Sequence, residues 1–344
     1  MFEVDIDRIS PPEVTVIADA DNASAQIISC ALRATGLATT TVIAKVLQGA
    51  QLAQTVCVSR ICAPELSWLP DYLVRRGGYT YVLDDNLFAV DPIQDPRAAR
   101  VFGHPAAQAC LEKFLRLARC VVARSPTLAT ELRRRFPDIR LEVLTAPVDW
   151  ALFEQLHVDR SRTPQSDAAL CVGYPTTTRA HLSGLIASIV DGATRRFGTR
   201  IRFEFVGWWP PEVARMEAVL CIPGVRGYDN YARLLMSRGW DAAIAPMGDS
   251  LFENCKTPLK YLEYSAMGIP GVYSDTPVYA SVVRHDETGL LAANEPGAWI
   301  DALEQLLESP AQRMAIASRA GAEVKRIADM RNVGEALRAI LLAD

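Results

Sequence analysis

The sequence predicts an α/β protein made of two tandem doubly wound, Rossmann-like domains. Three observations predict it. Short β-branched runs of strand length recur along the chain, and many are followed by a segment of helix length. A polar stretch with one proline, "LHVDRSRTPQSD" (156–167), interrupts this alternation near mid-chain and reads as a linker. The 344 residues are 50% hydrophobic and 22% charged, enough apolar material for two cores. The expected division is an N-terminal domain over 1–155 and a C-terminal domain over 156–344, the last helix packing back on the first domain.

In the first half the strand signals are "VTVIA" (14–18), "TVIAKV" (41–46), "TVCVS" (55–59), "YTYVL" (79–83), "CVVA" (120–123) and "LEVL" (141–144). Helix-like segments at 24–35, 64–76, 104–118 and 125–136 lie among them. Continuous apolar runs of this kind suit strands covered by helices on both faces, hence a mostly parallel sheet. A second alternation predicts strands at 168–173, 201–206, 241–246, 270–274 and near 289–292. Helices are expected between them at 179–197, 211–219, 228–237 and 257–267, then at 296–308, 310–326 and 331–342.

Bulk properties exclude several functions. A net charge of −4, spread evenly, argues against a protein that binds nucleic acid by neutralising phosphates. The eight cysteines form no C-x-x-C pair and no zinc spacing; with their apolar flanks they read as small core residues of a reducing compartment, the cytoplasm. The opening "MFEVDIDRISPPEV" is acidic and lacks the apolar core of a signal peptide. No apolar run reaches membrane-spanning length, so any membrane contact is peripheral. "ELRRRFPDIR" (131–140) is a basic cluster. It reads as a solvated helix end, or as a patch for an anionic membrane or a pyrophosphate-lipid acceptor.

The most informative stretch is "FENCKTPLKYLEYSAMG" (252–268). It follows a predicted strand, and Thr257 and Pro258 form a helix-start signal, N-cap and first turn. Ligands of doubly wound sheets bind beyond the carboxyl ends of the strands, where helix N-termini favour anions. Lys256 precedes that start, and Lys260 and Glu263 are three apart on one face. The pattern fits a phosphate at the helix mouth with a carboxylate one turn deeper for hydroxyl groups. It also fits a surface Lys–Glu pair. "CVGYPTTTRAH" (171–181) is a second strand–loop–helix on the same edge, with Gly173, Thr177 and Arg179 as phosphate contacts. It is neither a Walker loop nor a dinucleotide fingerprint.

The second half resembles the C-terminal domain of group 1 glycosyltransferases, nucleotide-sugar enzymes of GT-B fold, and most closely the bacterial branch that builds surface polysaccharides. The resemblance spans about residues 170–295. It is carried by "GYPTTTRAHLSGL", "FEFVGWWPP", "GYDNYARLL", "DAAIAPMGDSLFENCKTPLKYLEYSAMGIPGVYSD" and "VVRHDETGLL". In the first half "YTYVLDDNLFAV" and "ARCVVARSPTLATELRRRFPDIRLEVLTAPVD" resemble the family more loosely. The resemblance implies that Glu263 binds the donor ribose, and that Lys256, Lys260, Thr177 and Arg179 hold the diphosphate. The base would lie near Val225, Gly227 and Tyr228. Many relatives carry a further glutamate where this chain has Cys255, which leaves Asn254 or Asp249 to take that place.

The implied reaction moves a sugar from a nucleoside-diphosphate sugar, a substrate rather than a bound cofactor, to a hydroxyl of a saccharide or lipid-linked acceptor. Fixed cations and helix N–H groups would stabilise the departing phosphate, so no metal is expected. Retention of anomeric configuration is the family's usual outcome. Asp84 and Asp85 of "LDDN" end a predicted strand and read either as acceptor or sugar contacts or as loop caps. His104 of "FGHP" and His181 read as cleft histidines or as structural ones. "NASAQI" (22–27) opens the first helix near the acceptor. One of Trp208 and Trp209 is expected to line the crevice and the other to pack. The rival reading is a non-catalytic partner of another transferase that keeps the fold. A dehydrogenase is disfavoured by the missing glycine fingerprint.

Overall fold

A computed structural model describes residues 13–18, 23–43, 52–94, 96–158 and 169–343. It contains two compact units. One comprises Met1–Val90, Arg97–Pro147 and Met330–Asp344; the other comprises Asp91–Pro96 and Val148–Asp329. The units part at Pro147 and Val148, ahead of the break expected at 155/156. Most of the expected linker lies outside the described residues.

The first unit is built on a parallel sheet of six strands: β1 (Val14–Ala18), β2 (Thr39–Ile43), β3 (Thr55–Ser59), β4 (Thr80–Leu83), β5 (Cys120–Ala123) and β6 (Leu141–Val143). Their order is β2-β1-β3-β4-β5-β6. β1 and β4 are buried along their whole length, as the apolar runs require. The helices are α1 (Ala23–Ala34), α2 (Leu69–Arg75), α3 (Pro96–Phe102), α4 (Pro105–Leu117) and α5 (Pro126–Arg135). The segment 64–76 is a 3₁₀ turn, Pro64–Leu66, followed by α2 rather than one helix, because Pro70 restarts the backbone.

The main stretch of the second unit opens with α6 (Trp150–Val158), a helix that the sequence reading did not expect and whose last three residues fall in the stretch read as linker. Its parallel sheet holds β7 (Leu170–Thr176), β8 (Ile201–Gly207), β9 (Val219–Ile222), β10 (Ala242–Ala245), β11 (Gly271–Ser274) and β12 (Leu290–Ala292), in the order β12-β11-β10-β7-β8-β9. The helices are α7 (Ser183–Phe197), α8 (Tyr228–Arg238), α9 (Leu251–Asn254), α10 (Leu259–Ala266), α11 (Pro277–Ala280), α12 (Pro296–Glu308) and α13 (Pro310–Ala328). The last helix of the chain, α14 (Met330–Leu342), packs on α1 in the first unit.

Two expectations fail here. Residues 211–219 are not a helix. They form a 3₁₀ turn, Pro211–Val213, and lead into the edge strand β9. β7 runs three residues past its expected end, to Thr176.

Each strand order places a reversal of winding. In the first sheet it lies between β1 and β3, in the second between β7 and β10. Loops diverge at such a point and leave room beyond the carboxyl ends of the two strands. The carboxyl ends of β7 and β10 carry the residues singled out above.

Candidate functional site

In the second unit α10 points Lys260, in its first turn, and Glu263, in the next, at one residue of α8. Lys260 Nζ donates to Glu263 Oε2 at 2.8 Å and to Tyr231 Oη at 2.7 Å; Tyr231 Oη also donates to Glu263 Oε2 at 3.3 Å. Glu263 is nearly buried, its side chain 11% exposed, while Lys260 keeps 24%. Burial alone would lower the lysine's pKa. The charge of Glu263, the Tyr231 oxygen and the bonds to both override it and hold the ammonium above its ordinary value. The Tyr231 phenol is raised by burial and by Glu263, against the pull of Lys260. A permanent cation thus sits at the carboxyl edge of the sheet, and Glu263 keeps Oε1 outside this three-way contact.

Tyr228 stacks obliquely beside Tyr231, ring centroids 6.2 Å apart, and Glu263 acts on its phenol. Gly227, the residue before α8, has φ +85°, a conformation glycine adopts without strain. Arg179, just after β7, acts electrostatically on Tyr174 and Tyr279, and Lys260 acts on the same two phenols. The structure brings together Lys260, Glu263, Tyr231 and Tyr228, with Gly227 next to Tyr228 in the chain, and Arg179 lies within electrostatic reach of the same two phenols as Lys260. Thr177 is exposed in the loop after β7, its carbonyl accepting from the Thr176 hydroxyl at 2.8 Å.

The remaining candidates are placed otherwise. Gly173 lies inside β7, not in a loop. A Cβ there would sit 1.9 Å from Trp240 Cδ2, so this glycine makes room for an indole rather than a phosphate. Thr257 does not cap α10. Pro258 holds the cap position without a side-chain bond, and Thr257 Oγ1 is buried without a partner among the described residues. Lys256 Nζ stands 4.0 Å from the centre of the Phe252 ring, a cation–π contact. The Asn254 amide donates to Asp249 Oδ1 at 2.9 Å, so the two residues proposed as replacements at Cys255 are engaged with each other. Cys255 itself is fully buried. Trp208 and Trp209 both pack, half-buried, on the core of this unit.

Glu253 escaped the sequence reading, and it is the most buried carboxylate of this edge, 1% exposed. Its Oε1 accepts from Gly248 N–H at 3.1 Å and from His181 Nε2 at 3.0 Å. Its Oε2 accepts from Gln94 and, at 3.4 Å, from the Ser250 hydroxyl. A Cβ on Gly248 would lie 2.1 Å from Oε2, so the loop needs glycine there. Ser250 caps α9 by accepting from Glu253 N–H at 3.2 Å. The spacing Ser-x-x-Glu of a capping box was the available signal, but it says nothing of the inward turn of the carboxylate.

In the first unit Asp84 and Asp85 follow β4 and share Arg60, which follows β3. Arg60 Nε lies 3.3 Å from Asp84 Oδ1 and Nη1 lies 3.2 Å from Asp85 Oδ2. The Ser24 hydroxyl donates to Asp84 Oδ2. Burial raises the Asp84 carboxyl and Asp85 adds to it, while Arg60, Ser24 and the buried Arg124 pull it down. Arg60 has φ +54°, rare outside glycine, so its backbone is strained where it reaches the pair. Asn22, the first residue of the segment 22–27 expected near an acceptor, lies outside the described residues. His104 joins neither group. It is exposed, and its Nδ1 accepts from Ala106 N–H at 3.2 Å as the N-cap of α4, the structural role of a helix-start histidine.

Residues 170–309 match the family described as glycosyl transferases group 1. No curated protein sequence matches the chain. Among solved structures, sucrose-phosphate synthase from Thermosynechococcus elongatus is 13% identical with a TM-score of 0.69, covering 95% of this chain and 97% of that one. Anabaena HepE, solved in complex with UDP and glucose, is 14% identical with a TM-score of 0.69, over 96% and 99%. TarM is 11% identical with a TM-score of 0.61, over 84% of this chain and 54% of that one. Residues 170–309, all in the second unit, therefore match the group 1 glycosyl transferase family model, and the two Rossmann-like units have the GT-B fold of these structures.

Proposed function

We propose that the protein transfers a sugar from a nucleoside-diphosphate sugar to a hydroxyl of a saccharide or lipid-linked acceptor, in the assembly of a surface polysaccharide or glycoconjugate. The observation that carries this reading is the buried Lys260–Glu263–Tyr231 contact with Arg179 in the same neighbourhood. In it Glu263 accepts ribose hydroxyls through the oxygen that Lys260 leaves open. Lys260 and Arg179, with Lys256 and Thr177 on the flanking loops, face the diphosphate, and the base lies against Gly227 and Tyr228. As the glycosidic bond to phosphate breaks, charge grows on the departing diphosphate. A lysine held charged, in a site that is mostly buried, stabilises that charge without reorganising. These cations do the work a metal would otherwise do, and the transfer retains anomeric configuration.

Asp84 and Asp85, with Arg60 between them, receive the acceptor. A uridine donor is the first to test, since the neighbour HepE was solved with UDP and glucose. The protein works in the cytoplasm, where a peripheral contact would bring it to a lipid-linked acceptor. Among the described residues no helix is long and apolar enough to cross a membrane.

The buried Cys255, where many relatives carry a glutamate, favours a second reading, a non-catalytic partner of another transferase. Incubation of purified protein with UDP-glucose, UDP-N-acetylglucosamine and GDP-mannose, with and without sugar acceptors, separates the two. Release of nucleoside diphosphate, reduced about 10²-fold or more by Lys260→Ala, is expected. Nucleotide binding with no turnover of any donor would favour the partner.

A further inference from the structure

We propose that Glu253 Oε2 is the group that accepts hydroxyls of the donor's sugar, and that the Gln94 carboxamide competes with them for it. This rests on the nucleotide-sugar reading above and adds to it an internal competitor for the sugar.

The position comes first. His181 stands after β7 and Gly248, Ser250 and Glu253 stand after β10, so the His181–Glu253 bond spans the two loops at the winding reversal. That is where a doubly wound sheet receives a ligand. The chemistry follows. Oε1 is fixed by a backbone N–H and a histidine that belong to the loops themselves. Oε2 is served by the Ser250 hydroxyl, at a long 3.4 Å, and by Gln94. A carboxylate repels a diphosphate, so the ligand part that suits Oε2 is a neutral hydrogen-bond donor, and a sugar hydroxyl is such a donor.

Gln94 has the character of a stand-in. Its side-chain nitrogen gives one proton to Ser250 Oγ at 2.7 Å and the other to Glu253 Oε2, the bonds two hydroxyl groups would make. It reaches them from the short segment Asp91–Pro96, which belongs to the second unit while the residues on either side belong to the first. Pro92 and Ile93 beside it are exposed, Ile93 at 79%, and the Ile93 and Gln94 N–H groups donate within the segment, to Asp91. Exchanging an amide donor for a hydroxyl donor keeps the buried carboxylate satisfied in both states, where an empty Oε2 would be costly. Binding of the sugar must then displace Gln94, and its apparent affinity is reduced by the fraction of molecules in which Gln94 is seated.

Calorimetric titration of wild type and Gln94→Ala tests this with UDP-glucose, UDP-N-acetylglucosamine and GDP-mannose, each against bare UDP or GDP. The quantity read is the affinity of the sugar nucleotide relative to its bare nucleotide. Gln94→Ala is expected to raise that ratio about threefold or more, and Glu253→Gln to lower it by a similar factor. If Gln94 merely fastens its segment, the ratio stays put or both affinities shift together. Either result overturns the proposal while leaving the nucleotide site standing, and so does a weaker sugar nucleotide in Gln94→Ala. Failure of every nucleotide to bind wild type removes both readings. Gln94 is a surface-segment residue, so its variant remains informative where Glu253→Gln does not fold.

Discussion

At the residue scale, the indole of Trp240 covers the α-carbon of Gly173 and cannot retreat. Its Nε1 donates to Glu204 Oε2 at 2.9 Å, and Arg238 grips both oxygens of that carboxylate at 2.8 and 3.0 Å. Gly173→Ala would push a methyl group into a ring bonded to a carboxylate that Arg238 itself fixes with two bonds. The variant is expected to lose roughly 1–3 kcal/mol, read as a lower urea midpoint at unchanged slope; a midpoint equal to wild type would show that the ring can move. Lys260 and Glu263 were legible because their contact is local, three residues apart on one helix. Glu253 was not, since its partners His181 and Gln94 lie 72 and 159 residues away. Gly173 misled for a related reason. A glycine in a strand–loop–helix motif looks the same whether a phosphate or a tryptophan lies over it.

At the scale of elements, α14 closes the first unit by laying Val333, Leu337 and Leu341 on its core. α14 meets α1 so closely that a Cβ on Gly334 would lie 2.1 Å from the Ala31 carbonyl oxygen. Gly334→Val is therefore expected to drive the helices apart and lower the melting temperature of the first unit by several degrees, about 2–4 °C for each kcal/mol lost in a unit of this size. A melting temperature unchanged from wild type would mean that the pair tolerates the separation. Most strands and long helices were readable from period and composition, because buried parallel strands are apolar throughout. β9 was not. It lies at the sheet edge with no fully buried residue, and its hydrogen bonds come from β8. The helix expected just before it shrank to a 3₁₀ turn between Pro210 and the strand. What decides such a segment is a tertiary partner, not local propensity.

At the scale of the whole molecule, burial sets the response to alkali. It pushes the Cys57 thiol from its ordinary 9.0 up to about 12, and those of Cys110 and Cys171 up to about 11. Between those values the unfolded chain has released these protons and the folded chain has not, so stability is full below about pH 9 and falls as pH rises toward 12. Urea midpoints under reducing conditions are expected to be level near neutrality and to drop above about pH 9; level midpoints to about pH 10 would contradict the burial of these thiols. The two-domain architecture, and the edge of the sheet proposed to receive the donor, were legible from alternation alone. The chemistry of that edge was only partly so, because two separate loops complete it. The most direct test of the central claim is a thermal-shift panel of nucleoside diphosphates on wild type, Lys260→Ala and Glu263→Ala. One nucleotide is expected to raise the melting temperature of wild type and to leave both variants unmoved, naming the base. Variants stabilised as strongly as wild type would mean that the nucleotide is bound elsewhere.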